Sequence, residues 1–104
     1  MASTFEAVAE PRRREILDLL QGGERSVGDL VDRLRLTQPT VSKHLKVLRG
    51  AGLVEVRRDA QRRWYRLRLE PLVELDVWLE PYRRMWTAGL DALERHLDTM
   101  EDSP

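Results

Sequence analysis

The sequence of 104 residues predicts a mainly α (α+β) chain in which a β-hairpin follows two tightly joined short helices. Apolar residues recur at helical spacing on both sides of a short linker, residues 35–37, so the two helices should cross steeply. The pattern then changes to alternation over residues 53–69, which is typical of strands. Helices joined in this way and followed by a hairpin define a winged helix-turn-helix, with a two-stranded hairpin as its wing.

The first two helices are predicted from their end signals. Ser3 and Glu6 have the spacing of a capping box and predict a short first helix. Pro11 suits the first turn of a second helix, because proline lacks the N–H that would be unsatisfied there. Gly22 and Gly23 should end that helix.

The third and fourth helices form the predicted helix-turn-helix. Ser26 should cap the third helix and Thr37 the fourth, with Pro39 in the first turn of the fourth. Gly50 and Gly52 should close the fourth helix. Its buried face is predicted from apolar residues at i, i+4 and i+7, which are Val41, Leu45 and Leu48.

The hairpin is predicted from two alternating segments, residues 53–57 and 63–69, with a cationic tip at residues 58–62. Trp64 and Tyr65 lie on the return strand, where packing within the hairpin is the favoured interpretation. Stacking on nucleic-acid bases is the less favoured one, because a duplex offers no free base faces.

Composition favours one globular domain, residues 1–104, with 41% hydrophobic and 35% charged residues. We expect a body over residues 1–70, a C-terminal helical segment over 71–100 and a tail over 101–104. The absence of cysteine excludes disulfides and thiolate metal sites. No apolar run is long enough to span a membrane, and the N-terminus does not have the pattern of a signal peptide. A cytoplasmic protein is therefore expected.

The zero net charge conceals a strong segregation of charge. Residues 33–68 contain eleven cations and two acids, a net charge of +9, whereas residues 1–32 carry −3 and residues 69–104 carry −6. A cationic centre between acidic flanks indicates a surface that binds a polyanion. The alternative is a surface on which arginine side chains are merely solvated.

The fourth helix combines several kinds of hydrogen-bonding side chain on its open face. Glutamine can pair with adenine, lysine with guanine, and hydroxyls with either, so the pattern indicates base readout in a major groove of double-stranded DNA. The alternative is an ordinary solvated face with a threonine cap. For the histidine, which borders the core, a bond to backbone or phosphate is favoured. The predicted DNA-binding residues of this helix are Thr37, Gln38, Thr40, Ser42, Lys43, His44 and Lys46.

The hairpin tip adds a second set of cations. Alternation prevents all of its arginines from facing one side, so about half are expected to reach phosphates or a narrow minor groove. The predicted DNA-binding residues of the wing are Arg58, Gln61, Arg62 and Arg63.

Residues 5–97 resemble the ArsR-type winged-helix repressors of prokaryotes, most specifically in the run QPTVSKHLKVLRGAGL of residues 38–53. The resemblance implies a homodimeric regulator that binds a two-fold related operator and usually represses. Where metal-sensing relatives carry paired cysteines, this chain has residues 26–29, SVGD. Asp91 and His96 lack the companions that a tetrahedral site needs. The chain thus resembles the branch without a metal site, and no cofactor is expected.

The C-terminal segment carries an apolar seam with steps of three or four residues. The seam is longer than the body can cover, so it predicts a dimer interface, with packing inside one protomer as the alternative. Pro81 leaves open one bent helix or two helices. The predicted interface residues are Phe5, Val8, Leu75, Trp78, Leu79, Tyr82, Trp86, Leu90, Leu93 and Leu97.

These observations favour a sequence-specific transcriptional repressor. A nonspecific DNA-binding protein is the second hypothesis, and the varied polar set on the fourth helix argues against it. An enzyme is the third, but no nucleophile–base pair, phosphate-binding glycine loop or metal cluster supports catalysis. Trp78, Tyr82 and Trp86 could line an effector site, and core packing is the favoured interpretation of these three side chains.

Overall fold

The first four helices begin at a residue whose side chain accepts a backbone N–H from the first turn. In the computed structural model, which describes residues 2–101 (the side chain of the last excepted), these caps are Ser3, Glu10, Ser26 and Thr37. The predicted caps Ser3, Ser26 and Thr37 are confirmed, as is Pro11 at the start of the second helix. The Glu10 cap, whose carboxylate accepts from Arg13 N at 3.0 Å, had not been predicted.

The order of elements is that of a winged helix-turn-helix. The helices and strands are α1 (Thr4–Ala9), α2 (Pro11–Leu20), β1 (Arg25–Ser26), α3 (Val27–Leu34), α4 (Gln38–Gly50), β2 (Val54–Asp59), β3 (Arg62–Leu67) and α5 (Leu72–Glu101). The predicted mainly α class is therefore confirmed.

The turn between α3 and α4 spans residues 35–37, as predicted. Arg35 ends α3 in the left-handed region, with φ 56°, and its N–H donates to Val31 O at 2.9 Å. Leu36 is half-buried against the core. This short turn redirects the chain, so that α4 starts in a new direction with Thr37 as its cap.

The wing contains more strand than the sequence indicated. The sheet has three antiparallel strands in the order β1-β3-β2, with Arg25 opposite Tyr65 and Ser26 opposite Trp64. The third strand, β1, had not been predicted, because two residues cannot show an alternating pattern. It ties the start of α3 to the wing.

The predicted hairpin tip, residues 58–62, is wrong in its bounds. Both strands extend further, with Asp59 opposite Arg62, so that only Ala60 and Gln61 form the turn. Ala60 adopts φ 56°, a left-handed conformation that had not been expected at a residue other than glycine. Consequently Arg58 and Arg62 occupy strand positions with a defined register.

The core joins the helix-turn-helix to the sheet. Val41, Leu45 and Leu48 are buried, as predicted, and Tyr65 is buried with only 7% of its surface exposed, which confirms its packing role. The largest fully buried side chains are Ile16, Leu30, Leu45, Leu48, Leu53, Val41 and Val54. Because three successive inward positions of α4 are fixed, its opposite face must point outward.

The C-terminal segment is one helix, α5, of 30 residues with Pro81 inside it. This outcome decides between the one-helix and two-helix alternatives. The first turns of α5 pack on α1, where the Phe5 and Trp78 rings meet edge to face at 5.6 Å. The described chain measures 70 × 26 × 20 Å, so the rest of α5 projects from the body.

The bounds of α5 differ slightly from the predicted segment, residues 71–100. The helix begins at Leu72 and includes Glu101, which had been assigned to the tail. Residues 102–104 of the predicted tail lie outside the described residues. Within the described chain, no helix combines the length and the apolar character needed to cross a membrane.

Replacing Leu30 with alanine should lower the free energy of unfolding by about 2–5 kcal/mol, because it opens a cavity in the core. Urea unfolding followed by far-UV circular dichroism measures the loss. The matched control is Val73→Ala, whose side chain is 59% exposed and whose substitution should cost less than about 0.5 kcal/mol. Equal costs for the two variants would contradict the position of Leu30 in the core.

Candidate nucleic-acid interface

The outward face of α4 carries polar side chains of several kinds. Gln38, Ser42, Lys43 and Lys46 are exposed, whereas His44 is half-buried at the border of the core. Their positions follow from the burial of Val41, Leu45 and Leu48, because a helix turns about 100° per residue. The structure therefore exposes donors and acceptors of several kinds along the outward side of α4.

The two predicted threonines differ from the rest of this set. Thr37 accepts from Thr40 N at 3.4 Å, and the two hydroxyl oxygens lie 2.8 Å apart. Each hydroxyl is thus already engaged, and Thr40 is half-buried. The cap function predicted for Thr37 is confirmed, and Gln38, Ser42 and Lys43 remain as the freer polar groups at the start of the helix.

A cleft of about 1030 Å³ lies between α4 and the wing. It brings together predicted residues from both elements, which are Gln38, Ser42, Lys46, Gln61, Arg62 and Arg63. Arg49 also lines it and had not been predicted, although it lies one turn after Leu45 on the same helix. Thr37, Thr40, Lys43, His44 and Arg58 lie outside the lining.

The cations that line the cleft form no ion pairs, whereas most other cations do. Arg12, Arg25, Arg33, Arg57 and Arg83 form ion pairs with acids. In the part of the chain that the structure describes, the cations with neither an ion pair nor a side-chain hydrogen bond are Arg35, Lys43, Lys46, Arg49, Arg58, Arg62, Arg63 and Arg95.

All of these free cations except Arg95 lie on the turn before α4, on α4 or on the wing. The positive potential is thus concentrated on one side of the body. A surface of this kind attracts a polyanion, because its charge is not cancelled by neighbouring acids.

Arg58 and Arg63 sit directly opposite each other in the β2–β3 register. Side chains at such positions share a face of the sheet and lie close together, so two like charges repel. No acid of the described chain forms an ion pair with either one. A phosphate between two such exposed guanidinium groups would offset this repulsion.

Arg57 differs from its neighbours on the wing. Its guanidinium donates to Glu24 at 2.8 Å and lies 3.7 Å from Asp59. The hydrogen bond raises the pKa of Arg57 and lowers the pKa of Glu24. The pair fastens β2 to the residue just before β1.

Acids also border the cleft, which sequence reasoning had missed. Asp29 and Asp32 of α3 line it. Asp29 lies 2.8 Å from Arg25 and 3.0 Å from Arg33, and the hydrogen bond from Arg25 is the main cause of its lowered pKa. Arg25 and Arg33 are therefore neutralised on the α3 side, and the free cations of the body lie on the turn before α4, on α4 and on the wing.

The predicted interface residues fall into two groups. Phe5, Val8, Leu75 and Leu79 are half-buried by their own protomer, and Val8 packs against the core. The others remain about half exposed in this chain, and they are Trp78, Tyr82, Trp86, Leu90, Leu93 and Leu97. Trp78 and Tyr82 pack on each other with ring centroids 5.0 Å apart.

Metal ligands do not come together in residues 2–101, where no group of three or more His, Cys, Asp or Glu side chains is placed to hold an ion. Asp91 and His96 are five residues apart on α5, which puts them about 140° apart around the helix. These two side chains therefore do not share a face.

A winged helix-turn-helix with a cleft that is lined by cations without ion pairs is typical of a DNA-binding protein. Residues 10–56 match the family described as bacterial regulatory protein, arsR family. The transcriptional repressor SdpR of Bacillus subtilis is 34% identical over 76% of this chain and 88% of its own length. The chain belongs to the ArsR family of transcription regulators and is not an enzyme.

Two further comparisons extend over most of the chain. The HTH-type transcriptional regulator Rv2034 of Mycobacterium tuberculosis is 37% identical over 94% of this chain and 89% of its own length. A solved structure described as a possible transcriptional regulator for arsenical resistance superposes with a TM-score of 0.73 and 34% identity, covering 92% of this chain and 97% of that one. Both confirm the family over α5 as well as the body.

Proposed function

We propose that the protein is a homodimeric transcriptional repressor that binds a two-fold related operator through α4 and the wing. The observation that carries this proposal is the cleft between them, where free cations and varied polar side chains meet. Repression follows if a bound dimer covers promoter DNA and blocks the polymerase. The site of action would be the cytoplasm, where bacterial DNA lies.

Base readout is assigned to the start of α4. Gln38, Ser42 and Lys43 are exposed within the first two turns, which is the part of such a helix that enters a major groove. Gln38 can bond adenine N6 and N7, and Lys43 can bond guanine O6 and N7. Lys46 and Arg49 lie farther along the helix, and we assign them to phosphate contacts.

The wing is assigned a supporting role on the DNA backbone. Arg62 and Arg63 line the cleft, and the Arg58–Arg63 pair would be relieved by a phosphate. Contacts of this kind position the protein without specifying sequence, and they make affinity strongly dependent on salt. Arg57 is held by Glu24 and is assigned a structural role instead.

A second copy of the chain is the proposed partner of α5. Beyond Tyr82 no other element of the described chain covers the apolar side chains of the seam, and Trp86, Leu90, Leu93 and Leu97 are 50–60% exposed. A self-complementary face of this kind suits an isologous two-fold contact. Such a dimer would place its two copies of α4, the recognition helices, at the two half-sites of one operator.

We also propose that DNA binding is independent of a metal ion. The chain contains no cysteine, and Asp91 and His96 point to different sides of α5.

The proposal predicts specific binding to DNA upstream of the protein's own gene. In a fluorescence-anisotropy titration at about 150 mM salt, that DNA should bind roughly a thousandfold more tightly than an unrelated duplex of equal length. Gln38→Ala and Lys43→Ala should each lose about 1–3 kcal/mol of this discrimination, because each removes a base contact.

Arg12→Ala is the control for loss of one cation, because Arg12 pairs with Glu15 on α2 and does not line the cleft. It should keep the discrimination of the intact protein. Equal binding to both duplexes by the intact protein would favour a nonspecific DNA-binding protein, or an operator elsewhere. Full discrimination by both α4 variants would refute the assignment of base readout.

The dimer is tested by placing a charge in the exposed seam. Trp86→Glu and Leu90→Glu should each give monomers in sedimentation velocity, because a carboxylate would be buried without a partner. Val77→Glu is the matched control, since Val77 is 65% exposed and lies about 180° around the helix from Trp86. Dimers in both seam variants, or monomers in the control, would contradict the assigned interface.

A further inference from the structure

Helix α5 links the body to the exposed apolar side chains of the seam, and Pro81 interrupts its hydrogen bonding between the two. Pro81 has no N–H, so the carbonyl of Val77 lacks its regular partner within the helix. A proline inside a helix destabilises the helix and favours a bend. The structure nevertheless shows one uninterrupted helix across this position.

Arg83 bonds across this turn to residues on the other side of the proline. Its guanidinium donates to the Asp76 carboxylate at 2.5 Å, to the Asp76 carbonyl at 3.1 Å and to the Glu80 carboxylate at 2.5 Å. These bonds raise the pKa of Arg83, and the bond from Arg83 is the main cause of the lowered pKa of Glu80. Arg83 thus joins the segment before the proline to the segment after it.

The positions around the helix show how these bonds oppose bending. Pro81 lies about 160° from Arg83 and about 180° from Leu90, on the side of α5 away from the seam. A proline relaxes the hydrogen bonds of its own side, so that bending changes the spacing of successive turns on the opposite side. Arg83 and Asp76 lie on that opposite side, two turns apart, and their bonds fix this spacing.

We propose that Arg83 is a positioning residue that holds the two halves of α5 in one direction across Pro81. This inference rests on the proposed homodimer. In that dimer the half of α5 after Pro81, the distal half, contacts the second copy, and the half before Pro81 packs on the body that contains α4. The direction of one half relative to the other then sets the distance between the two recognition helices. Arg83 thereby determines which spacing of operator half-sites the dimer accepts.

The length of the distal half makes the spacing sensitive to this angle. From Arg83 to Glu101 the helix extends about 27 Å, at 1.5 Å per residue. A change of about 10° at Pro81 would therefore move the body by about 5 Å relative to the seam, and one base pair rises about 3.4 Å. If the turn around Pro81 were not held, the dimer would accept several half-site spacings and would no longer prefer one.

Arg84 provides a matched control. It is the next residue and carries the same charge, but it reaches only the Glu80 carboxylate, at 3.3 Å. Its side chain is 75% exposed, against 36% for Arg83. Such an exposed pair four residues apart contributes little to helix stability. Arg84→Ala should therefore leave the direction of the distal half unchanged.

The direct test is a distance measurement between the two protomers of the full chain. The chain has no cysteine, so Arg12→Cys introduces one attachment site for a nitroxide on the exposed face of α2, outside the cleft. Pulsed electron paramagnetic resonance should give one narrow distance for the otherwise intact chain and for Arg84→Ala. Arg83→Ala should at least double the width of the distribution.

A second substitution distinguishes bracing of the proline from a general structural role. Pro81→Ala restores the backbone donor, so Arg83→Ala in that background should not widen the distribution. An unchanged width in Arg83→Ala alone, or the same widening with and without Pro81, would overturn the proposal. Arg83→Met, which keeps the aliphatic stem, should widen the distribution as alanine does, and its circular dichroism checks that α5 is still formed.

Half-site spacing gives an independent readout on DNA. The intact protein should prefer its best spacing about tenfold over spacings changed by one base pair, and Arg83→Ala should reduce this ratio to about threefold or less. An unreduced ratio would overturn the proposal. Sedimentation separates the failures: monomers of the intact chain would refute the proposed function itself, whereas monomers only in Arg83→Ala would make Arg83 an interface contact and overturn the bracing role.

Discussion

The burial of one face of α4 is the constraint on which the rest of the molecule depends. Val41, Leu45 and Leu48 are held in the core against the sheet and α2, so rotation of α4 about its axis would expose three apolar side chains. That would cost several kcal/mol, at about 2 kcal/mol for each residue. The outward direction of Gln38 and Lys43 is thus determined by hydrophobic packing and not by any polar contact.

Charge pairing then refines what the packing presents. The arginines of α2 and α3, those of α5 near Pro81 and those at the base of the wing are bound by carboxylates or backbone carbonyls. Those of α4 and of the wing near its turn are left free, together with two lysines. Without Glu24 or Asp29, the arginines that these two acids bind would also be unpaired, and free cations would lie on several sides of the body. The same ion pairs therefore support the fold and restrict the free positive charge to one surface.

Sequence patterns predicted the helices, the turn at residues 35–37 and the inward face of α4, because periodicity and caps are local signals. They missed β1, whose two residues become a strand only through pairing with Tyr65 and Trp64, and they misplaced the hairpin tip, since Ala60 adopts a conformation uncommon for alanine. The acids beside the cleft and the contacts of Arg83 were also missed. These features arise from tertiary contacts or from long side chains that span two helical turns.

Selection of DNA from a random duplex library by the intact protein tests the central claim most directly, because it presumes no operator. A dimer that reads DNA through two copies of α4 should enrich an inverted repeat whose half-sites are centred about 10–10.5 base pairs apart, or a multiple of that. Enrichment of no common sequence, or of one half-site without its repeat, would contradict the account.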